Sequence, residues 1–258
     1  MGELHWKTAI TKIKPNEIRI RGYRIDELMG NATFAQAVWL TLMGEMPSKA
    51  IGDLVDSILV SGIDHGPTPP SVLAALTVAS GGAALEPCLA GGLLAISKSH
   101  GGAVEECMRT LTEGAKRCKD SGKSPDVVAD EMLAEFKETG IRISGYGHRI
   151  HTKDPRKDRL FELADKAGVR GKHIEMALAF ERKLAKGDKK IPLNVDGAIA
   201  ACLCELEVPV FLANAFFLIA RAVGIIAHVH EERTRYKPMR RIDPVDNEYD
   251  GPANRSLA

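Results

Sequence analysis

Four short stretches place a histidine or an aspartate beside glycine or proline at the mouth of an expected helix. They are Asp64-His65-Gly66-Pro67, Ser99-His100-Gly101-Gly102-Ala103, Gly145-Tyr146-Gly147-His148-Arg149 and Asn194-Val195-Asp196-Gly197. Glycine lets a backbone approach a ligand closely, and a helix N-terminus presents N–H groups to an anion. Imidazole and carboxyl groups held there suit proton transfer and the stabilisation of developing negative charge. Each stretch alone is a weak signal, because a single loop histidine is more often a surface or capping residue than a catalyst. Their joint occurrence carries the weight.

The elements that must position these loops read as helices. Residues 31–43 begin with a capping-type asparagine and stop at Gly44. Pro70 opens a helix after the turn-rich Gly66-Pro67-Thr68-Pro69. Apolar residues recur at helical spacing near 102–119 and 125–139, in 159–168 (closed by Gly168), in 173–185 and in 197–206. Only 18–23 alternates as a strand would. The expected fold class is therefore all-α, with helices packed in layers and the chemistry in loops near 62–71, 99–102, 144–156 and 187–194.

The apolar run 208–229 is long enough to raise the question of a membrane span. Arg221 stands in its middle, and a central arginine costs at least ~2.5 kcal/mol in a bilayer. A buried helix of a globular core, with Arg221 aimed into a polar site, is the expected form. The first residues lack the basic-then-apolar pattern of a signal peptide. A cytoplasmic, soluble protein is expected, with no membrane partner.

The chain has 258 residues, 45% of them hydrophobic, enough for a substantial core. Lys and Arg total 35 against 34 acids, which gives no electrostatic reason to expect nucleic acid. The five cysteines, Cys88, Cys107, Cys118, Cys202 and Cys204, show no CxxC spacing and fit free thiols in a reducing compartment. The histidines lack metal-ligand spacing, so no metal is expected.

Taken together, these stretches resemble the citrate synthase superfamily. Its signature has the form Gly145-Tyr146-Gly147-His148-Arg149-Ile150-His151-Thr152-Lys153-Asp154-Pro155-Arg156 here. His100-Gly101-Gly102-Ala103 is similar to the family's other histidine loop, and Asn194-Val195-Asp196 to its aspartate loop. Arg221-Ala222-Val223-Gly224 and His228 resemble its last long helix. The order is right over roughly residues 25–251. The short form, with Asp64-His65-Gly66-Pro67, Leu193-Asn194-Val195-Asp196-Gly197 and Arg241-Ile242-Asp243-Pro244-Val245-Asp246-Asn247-Glu248-Tyr249, looks like the citryl-CoA lyases and the C-terminal module of ATP-citrate lyase. His100 departs from that module and matches the synthases.

The resemblance implies a citrate synthase-like helical fold, shortened at the N-terminus. It would form one catalytic unit over 1–258, with a smaller helical lobe at approximately 104–195. It implies cleavage of citryl-CoA to acetyl-CoA and oxaloacetate, with the CoA thioester as substrate and no permanently bound cofactor. His148 would handle the hydroxyl proton, His100 would donate to the thioester oxygen, Asp196 would exchange the acetyl proton and His65 would orient the citryl group. Arg156 and Arg221 would bind carboxylates, since arginine offers a bidentate fork. Arg241 would come from a neighbouring subunit of a homodimer or dimer of dimers, with Arg240 as the alternative if the alignment slips by one. Lys189 and Lys190, then Arg142 and Arg149, are the candidates for the CoA phosphates.

Other readings stand beside these. Asp196 could cap the helix starting near Gly197, and Arg156 could belong to a solvated run with Lys153, Lys157 and Arg159. A short citrate or 2-methylcitrate synthase would keep the same residues. A non-catalytic CoA-binding subunit would have no need to keep His100, His148 and Asp196 together.

Overall fold

The computed structural model of the protein describes residues 6–98, 100–147, 154–185 and 191–240. Among these the fold is mainly helical, as expected, with eleven α-helices and one small sheet. The sheet is an antiparallel meander of β1 (Thr11–Lys14), β2 (Glu17–Ile20) and β3 (Tyr23–Arg24). The single strand expected over 18–23 is thus a hairpin. Arg21 and Gly22 both take positive φ (49° and 92°) and reverse the chain between Ile20 and Tyr23. The Arg21 guanidinium then donates to the Thr41 carbonyl at 3.1 and 3.0 Å, tying the meander to the helices.

After the short α1 (Ile25–Leu28), α2 (Phe34–Met43) starts at Thr33 rather than Asn31. Thr33 and Gln36 form a reciprocal capping box, which satisfies two N–H groups at once, and Gly44 ends the helix in the left-handed conformation. Helix α3 (Lys49–Gly62) is capped by Ser48 and buries Leu54, Val55, Ile58 and Leu59. Helices α4 (Pro70–Ser80), α6 (Ala103–Ser121), α7 (Pro125–Glu138) and α9 (Lys172–Leu184) lie where the periodicity puts them. Helix α5 (Leu85–Leu94) was hidden from sequence by Pro87, Gly91 and Gly92. Helix α8 begins at Pro155, four residues before the expected start, because Asp154 caps it and proline suits its first turn.

Two helices organise the core. Helix α10 (Val195–Glu205) is buried from Gly197 to Cys204 and packs on α6, α8 and α9; its alanines let these neighbours come close. Helix α11 (Ala213–Arg235) follows a 3-10 turn, Val210–Leu212, and packs on α3, α4, α5 and α6. The stretch Val210–Arg235 is long and apolar enough to cross a membrane. Here one face lies inside the fold, with Arg221 only 4% exposed among Phe216, Ala220, Gly224 and Ile225. A smaller cluster of Val72, Ala75, Leu76, Ile225 and Val229 joins α4 to α11. All five cysteines are free thiols, four of them buried.

Helix α9 has no cap of its own at Gly171, and Glu205 at the end of α10 supplies one. Its carboxylate accepts from the N–H groups of His173 and Ile174 (2.8 and 2.9 Å), and His173 Nδ1 lies 3.2 Å away. Burial raises the Glu205 carboxyl, but the His173 side chain and these N–H groups outweigh it, so the group sits below its ordinary range. A carboxyl depressed in the folded state contributes stability above its unfolded pKa and loses it as pH falls through the folded one. Glu205→Ala should therefore cost roughly 2 kcal/mol at neutral pH, where two N–H groups lose a charged acceptor. Urea unfolding at neutral and acid pH should show the gap between wild type and variant closing below the ordinary glutamate range.

Candidate active site

The site is built where two loops zip together ahead of α10. The Asn194 N–H donates to the Gly145 carbonyl at 3.0 Å, its side-chain amide donates to the Gly147 carbonyl at 2.8 Å, and the Gly147 N–H donates to Pro192 O at 2.7 Å. A side chain at position 197 would put its Cβ 2.4 Å from the Gly145 oxygen, and one at 145 would sit 2.8 Å from Gly197 Cα. Gly145 has φ of 85°, so both demands fall on glycine. The cap of α10 is Asn194, whose oxygen accepts from the N–H groups of Asp196 and Gly197 (3.0 and 3.2 Å). The reading of Asp196 as the cap is corrected by that bond. Asp196 lies in the first turn with its carboxyl committed to no cap.

Asp154, quoted in the signature but given no role by sequence reasoning, ties this loop to Arg156. It is 1% exposed, and one oxygen accepts from the Arg156 N–H and Nε at 3.0 Å each. The other accepts from Arg156 Nη2 at 2.9 Å and from the Val195 N–H at 3.1 Å. Arg156 also reaches the Ser61 carbonyl at 3.3 Å. Arg156 is therefore held in the fold and does not belong to a solvated run. Such an acidic partner is invisible without the fold, because Asp-Pro-Arg reads equally as a helix start.

From the other side comes the His100 loop. His100 Nε2 lies 2.8 Å from the hydroxyl of Ser71, a buried serine in the first turn of α4. Its ring meets Phe217 edge-on, centroids 6.2 Å apart, and the Arg221 guanidinium stacks on the same Phe217 ring at 4.8 Å. Gly101 allows the approach, since a Cβ there would lie 2.8 Å from Phe217. Arg221 Nε donates to the Gly62 carbonyl at 3.1 Å. His228 pairs with Asp64 at 3.1 Å, and Asp64 also accepts from the Gly66 N–H at 2.9 Å. His65, beside them, is exposed. Ser71 and Phe217 were missed because their role is to hold a neighbour, which neither composition nor spacing reports.

Electrostatics join these groups. Burial raises the Asp196 carboxyl above the ordinary aspartate range, against the pull of Arg156 and Arg221, with Asp154 adding to the rise and His65 opposing it. For Asp154 burial also raises, but the bonds from Arg156 win and hold it low. His100 is lowered by burial and then by the Arg221 charge, which favours neutral imidazole. Arg156, Arg221, His65 and Asp196 thus act on one another in one region, with His100 linked to it through Arg221. Such a set can bind carboxylates, donate to a developing enolate and move a proton at carbon. Among the described residues no group of His, Cys, Asp and Glu is placed to hold a metal ion.

His148 and Arg149 follow Gly147 directly but lie outside the described residues, as do Lys189, Lys190 and Arg241 with the segment after it. Arg142 is exposed ahead of the Gly145 turn. Arg240, the alternative to Arg241, is engaged within its own chain. It pairs with Glu232 at 2.8 and 2.6 Å and stacks on Tyr236 at 4.3 Å.

Comparison with known proteins bears on this arrangement. Residues 45–242 match the family model described as citrate synthase, C-terminal domain. A citrate synthase of Haloferax volcanii is 31% identical over 80% of this chain and 56% of its own. ATP-citrate synthase beta chain protein 2 of Arabidopsis thaliana is 28% identical over 69% of this chain and 31% of its own, so the chain spans about a third to half of these relatives. The solved structure of citryl-CoA lyase from Hydrogenobacter thermophilus superposes with a TM-score of 0.87 at 42% identity, covering 98% of this chain and 97% of that one. An ATP citrate lyase of Methanosaeta concilii in complex with (3S)-citryl-CoA shares the fold, with a TM-score of 0.84 at 21% identity, over 98% of this chain and 43% of that one. The chain belongs to the citrate synthase family.

Proposed function

We propose that the protein is a citryl-CoA lyase, cleaving citryl-CoA to acetyl-CoA and oxaloacetate. The observation that carries the reading is Asp196, a carboxyl raised by burial and standing in the field of Arg156 and Arg221. Cleavage needs an acid at the acetyl carbon, and burial that raises a carboxyl favours the protonated form that supplies one. The 42% identity to the Hydrogenobacter lyase along nearly both whole chains supports the same choice.

In this reading Arg156 and Arg221 clamp the substrate carboxylates. His148 accepts the proton of the tertiary hydroxyl as the bond between the carbinol carbon and the acetyl methylene breaks. The electron pair moves into the thioester as an enolate, oxaloacetate forms, and His100 donates to the thioester oxygen. This reading assigns the Ser71 hydroxyl, 2.8 Å from Nε2, as the donor, which leaves the His100 proton on Nδ1 for that oxygen. Asp196 then protonates the enol carbon, giving acetyl-CoA. His65 orients the citryl group, and Lys189, Lys190, Arg142 and Arg149 meet the CoA phosphates. A homodimer, or a dimer of dimers, in which Arg241 completes the partner's site, belongs to the same proposal; exposed Leu94, Phe211 and Val223 are side chains a second copy would cover.

A second reading, a short citrate or 2-methylcitrate synthase, is favoured by the 31% identity to the Haloferax enzyme. Purified protein given citryl-CoA, with oxaloacetate read through malate dehydrogenase and free CoA with a thiol reagent, separates the two. Oxaloacetate without free CoA is the expected result; free CoA with citrate would assign the synthase, and neither product would sink both.

Asp196→Asn should lower the cleavage rate by about 100- to 10,000-fold. The same variant should raise Tm at neutral pH. A carboxyl whose folded pKa is raised is destabilised in its ionised form, and that cost vanishes as pH falls through the raised value. Calorimetry at several pH values should show the Tm advantage of Asp196→Asn shrinking on acidification.

A further inference from the structure

Helix α9 carries no residue assigned to the chemistry, yet both loops of the site rest on it. The Tyr146 hydroxyl donates to the Ala177 carbonyl at 3.0 Å, and Glu181 accepts from the Leu193 N–H at 3.0 Å. Residues 177 and 181 are one turn apart, so they lie on the same face of the helix. One face thus holds the turn that leads to His148 and the loop that leads to Asp196.

The Glu181 contact is itself braced. Lys157 Nζ reaches both Glu181 oxygens at 3.1 and 3.0 Å, and its side chain is only 12% exposed, against 21% for Glu181. Most other ion pairs of the fold, such as Arg159–Glu162 and Arg182–Asp126, join side chains about half exposed and are worth little. Lys157 follows Arg156, the arginine held by Asp154, so the brace runs from the carboxylate-binding segment to α9 and on to Leu193. Leu193 is fully buried and three residues before Asp196. Its N–H would have no acceptor in a core that excludes water if Glu181 were removed.

We propose that Glu181, clamped by Lys157, is a positioning residue that sets the register of the Asp196 loop against the Gly145–Gly147 turn. It touches no reacting atom in this assignment. It acts through Leu193, whose amide fixes where α10 begins and so where the Asp196 carboxyl stands. The inference rests on the lyase reading for its kinetic consequence alone. Arg156 keeps its own partner in Asp154, so loss of Glu181 should fall on the proton transfer and spare substrate binding.

The test compares Glu181→Ala, Glu181→Gln and Lys157→Met with wild type in citryl-CoA cleavage, thermal melting and amide hydrogen exchange of a peptide spanning 191–197. Glu181→Ala should lower kcat by about 10- to 100-fold through misplacement of the acid, with KM changed less than about threefold. Glu181→Gln, whose amide oxygen still accepts from Leu193, should recover most of kcat, and Lys157→Met should fall between. Exchange in 191–197 should quicken in Glu181→Ala and not in Glu181→Gln. Wild-type kcat in Glu181→Ala, or a Glu181→Gln variant as slow as Glu181→Ala with kcat and Tm falling together, would overturn the assignment. An inactive wild type would instead remove the lyase reading, and the exchange result would then decide the role of Glu181 by itself.

Discussion

The buried carboxylate of Asp154 is the contact on which the site depends. Four donors converge on its two oxygens, three from Arg156 and one from the Val195 amide. It therefore fixes, in one group, the arginine at the start of α8 and the backbone at the start of α10. A buried charge survives only when paired and fully hydrogen-bonded, and removing one partner strands the other. Arg156 and Asp196 thereby acquire a set distance without touching each other.

Asp154 and Asp196 show how one fold gives two carboxyls opposite characters. Both are penalised by burial. Asp154 receives direct bonds from a guanidinium and is held ionised, whereas Asp196 has Arg156 and Arg221 only at a distance and is pushed up. Their environments drive the two carboxyls in opposite directions, and on the proposed lyase reading this separates a structural anchor from a proton carrier. The negative Asp154 also contributes to the rise at Asp196, so the anchor tunes the acid as well as placing it.

Across the site, α11 offers a different solution for a charge in apolar surroundings. Arg221 lies on the buried face of its helix among Phe216, Ala220, Gly224 and Ile225, and it is accommodated by the Gly62 carbonyl and the Phe217 ring. Phe217 also meets His100, so a single aromatic side chain sets the spacing of a cation and an imidazole. Burial favours neutral His100, and the Arg221 charge held at that spacing adds to the same effect.

Much of this was legible in the chain. Apolar periodicity gave most helices, a lone arginine in an apolar run pointed to a polar site, and four glycine-bearing loops marked the candidate site, because these signals are local in sequence. Element ends were less legible: Thr33 took the cap expected of Asn31, and α8 began at Pro155, as competing capping residues lie within a few positions. Sequence determined that His100, Asp196, Arg156 and Arg221 were the groups to consider. Only the tertiary structure decided that Asp196 is not a cap, that Asp154 holds Arg156 together with Val195, and that Ser71, Phe217 and Glu181 support their neighbours. The contacts that cross between elements join residues from 12 positions apart, as in Glu181–Leu193, to 117 apart, as in His100–Phe217, and their energies come from burial and geometry that no local pattern records.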